Sequence, residues 1–152
     1  MTRRRWWWAL VACLSLVLAL GACDNSEHTR IGACRIRPGS ACAGNFMEGA
    51  RLPESQLYDV DLSHADLTRV DLAHSDLGGA LLARARLVGT KLAGTNLSYA
   101  DLTGADLSRA DIHGANLTGA DLTGARVTAE QLASAHLCRT VAPDGTVAEP
   151  DC

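Results

Sequence analysis

A period of five residues governs most of this chain and limits the folds that it can adopt. From residue 50 to residue 139, a large aliphatic side chain recurs at every fifth position without an insertion. The eighteen positions run from Leu52 to Leu137 and hold leucine everywhere except at Ile112 and Val127. Two residues before each of them stands a small or modest residue, most often Ala, and Glu130 is the one violation. Any fold of this segment must bury both positions of nearly every unit.

This period fits neither a helix nor a flat strand. Five residues turn an α-helix through about 500°, so successive leucines would spiral around the helix axis. In a strand, an odd period would send alternate leucines to opposite faces of the sheet. All the leucines point inward only if the chain turns once per unit, with the leucine and the small residue before it on one face of a short extended segment. The sequence therefore predicts an all-β solenoid, in which each coil packs only on its neighbours.

The clearest units, in residues 100–124, read Ala, then Asp or Asn, then Leu or Ile, followed by two variable residues. This pattern resembles the pentapeptide-repeat family over residues 50–139. The resemblance implies a right-handed quadrilateral parallel β-helix with four units per coil, so that eighteen units form about 4.5 coils. Leu81, Arg86 and Lys91 depart from the family pattern, because they replace the Asp or Asn that usually precedes the leucine. Glu130, in an inward position, predicts a frayed last coil.

The first 23 residues have the layout of an export signal. Three arginines at positions 3–5 precede an apolar run over residues 6–20, which is shorter than the roughly 20 residues that span a bilayer. The run ends in Leu-Gly-Ala-Cys, which resembles the lipobox of bacterial lipoproteins. The resemblance implies that residues 1–22 are a signal peptide, that Cys23 carries the lipid, and that the protein is anchored on the extracytoplasmic side of the cell membrane. An uncleaved membrane helix and an ordinary cleavage site with an incidental cysteine are the alternatives.

Residues 23–49 are then a lipidated tether and N-terminal cap, residues 50–139 form the β-helix, and residues 140–152 form a disulfide-linked C-terminal cap. Apart from Cys13 in the signal and Cys23, the cysteines are Cys34, Cys42, Cys138 and Cys152. An even number in an exported chain predicts two disulfides, and four cysteines allow three pairings. We favour Cys34–Cys42, which lie symmetrically about a Pro-Gly turn, and Cys138–Cys152, because this tail resembles one that follows the repeats in some exported members of the family.

No catalytic, metal or cofactor site is predicted. No two cysteines have the short spacing that structural zinc favours, and the repeated aspartates occupy outward positions, where no pocket shields a general acid. No Ser or Cys nucleophile has a histidine in a catalytic arrangement. Aromatic residues make up only 4% of the chain and the formal net charge is −3, which argues against nucleic-acid binding.

The sequence thus predicts a rigid, non-catalytic structural or protein-interaction module, held at the membrane through a lipid on Cys23. Its partner is an envelope protein that the sequence does not identify, and an open end of the solenoid offers unpaired backbone for a homodimer. Leu81 and Val88 form the least polar part of the predicted surface.

The alternative function comes from the family, because some of its cytoplasmic members resemble duplex DNA and bind a DNA topoisomerase. With twenty residues per coil, outward residues twenty apart stack in columns. Two of these columns alternate in sign along the rod. One holds Arg51, Asp71, Lys91 and Asp111, and the other holds Asp66, Arg86, Asp106 and Arg126. Such alternation disfavours the imitation of a continuous polyanion.

Overall fold

The computed structural model describes residues 30–31, 34–35, 37–150 and 152, with side chains described from residue 37 onward. The predicted signal peptide and the predicted lipidation site Cys23 lie outside these residues. Strand β1 (Arg30–Ile31) pairs antiparallel with β2 (Cys34–Arg35), and β3 (Thr140–Val141) pairs antiparallel with β4 (Val147–Ala148). Between these two hairpins the chain forms a long coil, and a short helix, α1 (Ala129–Ala133), lies near its C-terminal end.

Parallel β-bridges hold the coil together, and each of them joins residues twenty apart along residues 41–141. The backbone hydrogen bonds repeat with the same period. The Asp61 N–H donates to the Ser40 carbonyl at 2.8 Å, and the Leu62 N–H donates to the Leu81 carbonyl at 2.8 Å. One turn of the coil therefore takes twenty residues, or four units. The predicted solenoid is confirmed.

Each unit bends through a β-turn that begins at its leucine. In the unit at Leu62, the Ala65 N–H donates to the Leu62 carbonyl at 3.0 Å, and the third residue of the turn, His64, has a φ of +59°. A positive φ at this position is typical of a type II turn, in which Gly avoids the strain that a Cβ causes. The same position holds glycine in many units and a larger residue in others. This repeated turn sets the five-residue period.

The leucines of the repeat fill the interior, as the sequence predicts. Every leucine of the series between Leu57 and Leu107 is 1% exposed or less. Hydroxyls at three of the smaller inward positions donate to leucine carbonyls of the preceding turn: Ser75 to Leu52 at 2.9 Å, Thr90 to Leu67 at 2.7 Å and Thr95 to Leu72 at 2.8 Å. Across the described part of the chain, no buried side-chain nitrogen or oxygen lacks a hydrogen bond. The interior is therefore mostly apolar, and the polar side-chain atoms within it are hydrogen-bonded.

The coil begins before residue 50, where the sequence analysis sets its start. Ala41 and Phe46 already form bridges to the next turn. Cys42 and Met47 take the inward place of the leucine in these units and are 0% and 1% exposed. Both side chains are apolar enough to fill that place, but neither is an aliphatic hydrocarbon, so the search for a period of leucines overlooks them.

The last turn is not frayed, in contrast to the expectation from Glu130. This residue is exposed on α1, which replaces one unit of the coil. The Thr128 hydroxyl caps the helix by accepting from the Gln131 N–H at 3.1 Å, and the Thr128 N–H donates to Gln131 Oε1 at 2.9 Å. A carboxylate in the interior would lose its hydration without a partner, and the helix keeps Glu130 in solvent.

The side chain of Gln131 supplies a hydrogen bond that the backbone ladder between turns lacks where α1 interrupts it. In the preceding unit, the Arg126 N–H donates to the Ala105 carbonyl at 2.8 Å. Five residues later, it is Gln131 Nε2 that donates to the Ala110 carbonyl at 2.8 Å, and it also donates to the Leu107 carbonyl at 2.9 Å. A side-chain amide thus takes the place of the missing backbone donor.

Candidate functional site

The residues that precede the leucines form outward columns, and opposite charges pair along them. Asp71 and Lys91 occupy bridged positions, with Asp71 Oδ2 at 3.1 Å from Lys91 Nζ. Two further pairs repeat this arrangement in the neighbouring column: Asp66 with Arg86 at 3.6 Å, and Asp106 with Arg126 at 3.7 Å. The predicted stacking of alternating charges is confirmed. Arg86 and Lys91, which depart from the family pattern, therefore act as ion-pair partners between turns.

The aspartates also stabilise the turn of their own unit, which sequence reasoning does not detect. Asp61 Oδ1 accepts from the Ser63 N–H at 3.0 Å, and Asp121 Oδ1 accepts from the Thr123 N–H at 2.8 Å. The amide of Asn96 does the same for Ser98 at 3.1 Å. Asp and Asn side chains favour this local contact with the backbone two residues on. The preference for Asp or Asn at this position thus has a structural cause within each unit.

These contacts lower the pKa of several carboxyl groups. The Lys91 ammonium is the main cause of the lowered pKa of Asp71, and hydrogen bonds from Thr123 lower the pKa of Asp121. Hydrogen bonding from the following turn residue likewise lowers the pKa of two further carboxyl groups, those of Asp66 and Asp106. All four groups are thereby held in the ionised state, which suits a structural role.

A third column is held together by amide groups. Asn96 Nδ2 donates to Asp76 Oδ1 at 2.7 Å, and Asn116 Nδ2 donates to Asn96 Oδ1 at 3.4 Å. Each amide bonds both to its own turn and to the next turn of the coil. This column therefore ties the turns together without cations.

The predicted cysteine sites lie at the two ends of the coil. A disulfide joins Cys138 to Cys152 and encloses the β3–β4 hairpin. Cys42 is also disulfide-bonded. The side chain of Cys34 lies outside the described residues, so the Cys34–Cys42 pairing stays a prediction, as does the lipidation of Cys23.

Within the described ranges, no group of three or more His, Cys, Asp or Glu side chains is placed to hold a metal ion. His64 and His74 are ten residues apart and thus half a turn of the coil from each other. No helix in the part of the chain that the structure describes is long and apolar enough to cross a bilayer.

Exposed apolar side chains are scattered over the coil. Leu81 is 45% exposed, but Val88 lies seven residues further along the twenty-residue turn, so the two do not form one patch. Phe46 at 81% and Tyr99 at 74% are more exposed than Leu81, and the sequence analysis does not single them out. Their exposure follows from their places in the unit, since Phe46 precedes the inward residue Met47 and Tyr99 lies in a turn.

Five-residue units, a filled leucine interior and paired polar columns define a parallel β-solenoid. The model of the family described as "Pentapeptide repeats" matches eight copies, over residues 42–79, 65–98 and 85–124. Together these matches cover more than half of the sequence, and the chain belongs to the pentapeptide-repeat family.

Several solved structures are similar to this chain. HetL, a pentapeptide repeat protein involved in heterocyst differentiation regulation in the cyanobacterium Nostoc sp. strain PCC 7120, is 25% identical over 73% of this chain and 80% of its own, with a TM-score of 0.41. A pentapeptide repeat protein of the Arabidopsis thaliana thylakoid lumen is 25% identical over 80% of this chain and 68% of its own, with a TM-score of 0.36. QnrB1, a plasmid-mediated fluoroquinolone resistance protein, in a trypsin-treated form, is 23% identical over 61% of this chain and 55% of its own, with a TM-score of 0.44. No curated protein sequence matches the chain.

Proposed function

We propose that this protein is an envelope lipoprotein whose pentapeptide-repeat rod is a rigid, non-catalytic structural or protein-interaction module. The lipid on Cys23 holds it on the extracytoplasmic side of the cell membrane, and its partner is an envelope protein. The rod adopts the right-handed quadrilateral form of its family, with about five turns between residues 41 and 141.

The filled interior is the observation that carries the non-catalytic role. Leu62, Leu82 and Leu102 stack on successive turns and are each 1% exposed or less, so the centre of the rod holds side chains and no ligand. The outward aspartates are bound to turns and to cations of the next turn. Such groups serve stability, and a partner meets the rod through its outer surface.

The anchor is supported by the sequence of residues 1–23. A short apolar run after three arginines ends at a cysteine that follows small residues. Two or three acyl chains on this cysteine would give stable attachment, whereas one chain gives only marginal binding. The two disulfide-bonded ends of the rod suit an oxidising compartment outside the cytoplasm.

Cell fractionation tests the anchor. Cys23→Ser is expected to abolish processing before residue 23 and the lipid mass on the protein, whereas Cys13→Ser, within the apolar run, is the matched control and leaves both intact. Processed protein that stays in the membrane fraction after Cys23→Ser would refute the lipid anchor. Crosslinking in intact cells, with the Cys23→Ser strain as background, then identifies the envelope partner.

The alternative, a DNA-like binder of a topoisomerase, has little support in the charge of the coil. Residues 41–127 carry eleven carboxylates against seven cations, a net charge of −4 over four steps of about 4.8 Å each. That is one net charge per ~5 Å, against one per ~1.7 Å in duplex DNA. We expect the chain to leave the supercoiling activity of a bacterial topoisomerase unchanged, and inhibition at micromolar protein would favour the alternative.

A further inference from the structure

The bridges of the coil reveal a separation of charge that is hidden in the linear sequence. Because residues twenty apart stack, every residue of the coil has an equivalent within the turn formed by residues 84–103. We define the cationic arc as the positions equivalent to residues 84–91. It holds every Lys and Arg of residues 41–127: Arg51, Arg69, Arg84, Arg86, Lys91, Arg109 and Arg126. Eight consecutive positions of twenty thus carry all seven cations together with five carboxylates, and their net charge is +2.

In each of the four ion pairs of the cationic arc, the cation is more exposed than its carboxylate, although the Glu48 side chain is itself 61% exposed. The Arg126 side chain is 78% exposed and the Arg86 side chain is 64% exposed, whereas their partners Asp106 and Asp66 are 26% and 17% exposed. The aspartates are short and bound to their own turns, and the long basic side chains extend past them. A partner that approaches this arc meets guanidinium groups first.

Over residues 41–127, the opposite side of the turn carries only negative charges, and Arg139 in the last turn is the one cation on that side of the coil. We define the acidic arc as the positions equivalent to residues 94–101. It holds every carboxylate of residues 41–127 that lies outside the cationic arc: Glu54, Asp59, Asp61, Asp76, Asp101 and Asp121. Two sheets pack about 10 Å apart, and the Debye length in physiological salt is about 8 Å. A surface in contact with one arc is therefore largely screened from the other.

The end of the rod near the tether adds an apolar contact to the cationic arc. Phe46 lies in this arc, on the first turn of bridges, and at 81% exposure it is the most exposed large apolar residue in the described part of the chain. The chain enters this turn from residues 1–36, which hold the predicted lipidation site Cys23. Phe46 is bridged to Asp66, and the cations share the same arc. Basic residues on one surface with an exposed aromatic ring are typical of a surface that meets a bilayer interface.

We infer that the cationic arc is a membrane-contact surface, on which the rod lies along an anionic bilayer with its acidic arc turned away. Guanidinium groups bind the phosphate of the lipid headgroups, with bidentate geometry available to each arginine. This inference rests on the proposed function in one respect, since the lipid on Cys23 keeps the rod at the bilayer. The acidic arc is then the side that faces an envelope partner.

Vesicle binding of the whole chain with Cys23→Ser tests the surface without the lipid. The partition coefficient is measured on phosphatidylcholine vesicles with and without phosphatidylglycerol. The value with phosphatidylglycerol is divided by the value without it, because the apolar residues 6–20 contribute to both and their effect cancels. Arg84→Gln with Arg109→Gln is the test variant, because neither arginine forms an ion pair with a described residue. We expect its ratio to fall by about tenfold or more.

Ser98→Glu with Thr118→Glu is the matched control, because it changes the net charge by the same amount from within the acidic arc. Its ratio is expected to stay within about twofold of the parent. Thermal unfolding verifies that both variants are folded. An unchanged ratio in the arginine variant, or an equal loss in both variants, would overturn the cationic arc as the contact surface. Neither result depends on whether Cys23 is lipidated, so the anchor and the surface are tested separately.

Discussion

The ring of Tyr99 lies over Gly119, its counterpart on the next turn of the coil. A Cβ built on Gly119 would stand 2.6 Å from Cδ1 and 2.7 Å from Cε1 of this ring. His74 covers Gly94 in the same way, with Nδ1 at 2.6 Å from the position of such a Cβ. At these two positions, the large side chain leans toward the next turn and occupies the space that a Cβ on the glycine would need.

We expect Gly119→Ala to destabilise the protein more than Gly124→Ala. Both glycines have a φ of +69°, but a Cβ on Gly124 meets nothing within 4 Å. The backbone strain is thus the same, about 1–2 kcal/mol, and only Gly119→Ala must also displace a ring, at a further ~0.5–1.5 kcal/mol. Tyr99→Ala should remove the difference between the two variants in denaturant unfolding. An equal cost of the two alanines would contradict the role of Tyr99.

Gln131→Glu should lower the stability of the protein, because it removes the side-chain amide that donates across the gap in the ladder. Glutamate retains an oxygen for the Thr128 N–H but lacks the amide that donates to the Ala110 and Leu107 carbonyls. The carbonyl of the buried residue Ala110 then loses its donor, and an unsatisfied buried polar group costs about 1–3 kcal/mol. Thr128→Ala is the control, since it removes the capping hydroxyl alone and costs about 1 kcal/mol. If thermal unfolding shows a smaller loss of stability for Gln131→Glu than for Thr128→Ala, the Gln131 side chain does not replace the missing backbone donor.

The stability of the coil should fall in acid. The pKa of Asp121 is lower in the folded chain than in the unfolded one, because Thr123 donates to its carboxylate. Its contribution is therefore fully present above the unfolded pKa, about pH 4, and is lost as the pH falls through the folded value. Asp121→Asn retains an acceptor for the turn, as Asn116 does, but cannot titrate. Below pH 4, the melting temperature of this variant should fall less steeply with pH than that of the parent protein. An equal slope would contradict a contribution of the Asp121 carboxylate to stability.

Replacing both Cys138 and Cys152 by Ser should lower the free energy of unfolding by about 3 kcal/mol. The disulfide spans 14 residues, and closure of a loop of this size restricts the unfolded chain by that amount. The expected first step of unfolding is the release of the β3–β4 hairpin, which hydrogen exchange would detect at residues 140–148. If exchange there matched the parent protein, the disulfide would have no role in holding the cap.

The inward positions were accessible from the sequence because they depend only on local geometry. A period of five excludes helix and strand, so the burial of residues such as Leu62 and Ala65 follows from the spacing of the apolar side chains alone. At both ends of the coil, the spacing of leucines is not sufficient to identify the inward residues. Met47 fills a place for which leucine was expected, and Glu130 leaves the interior because α1 can form there with Thr128 as its cap.

The sequence by itself determined that the chain is a solenoid with a leucine interior, since apolar periodicity records which side chains must avoid water. Only the tertiary structure decided which surface residues meet, because that depends on how many residues make one turn. The twenty-residue turn brings Lys91 to Asp71 and gathers all seven cations of residues 41–127 into one stripe. The role of Gln131 likewise depends on the carbonyls of Ala110 and Leu107, which lie 21 and 24 residues before it in the sequence. No local sequence pattern connects these residues to Gln131.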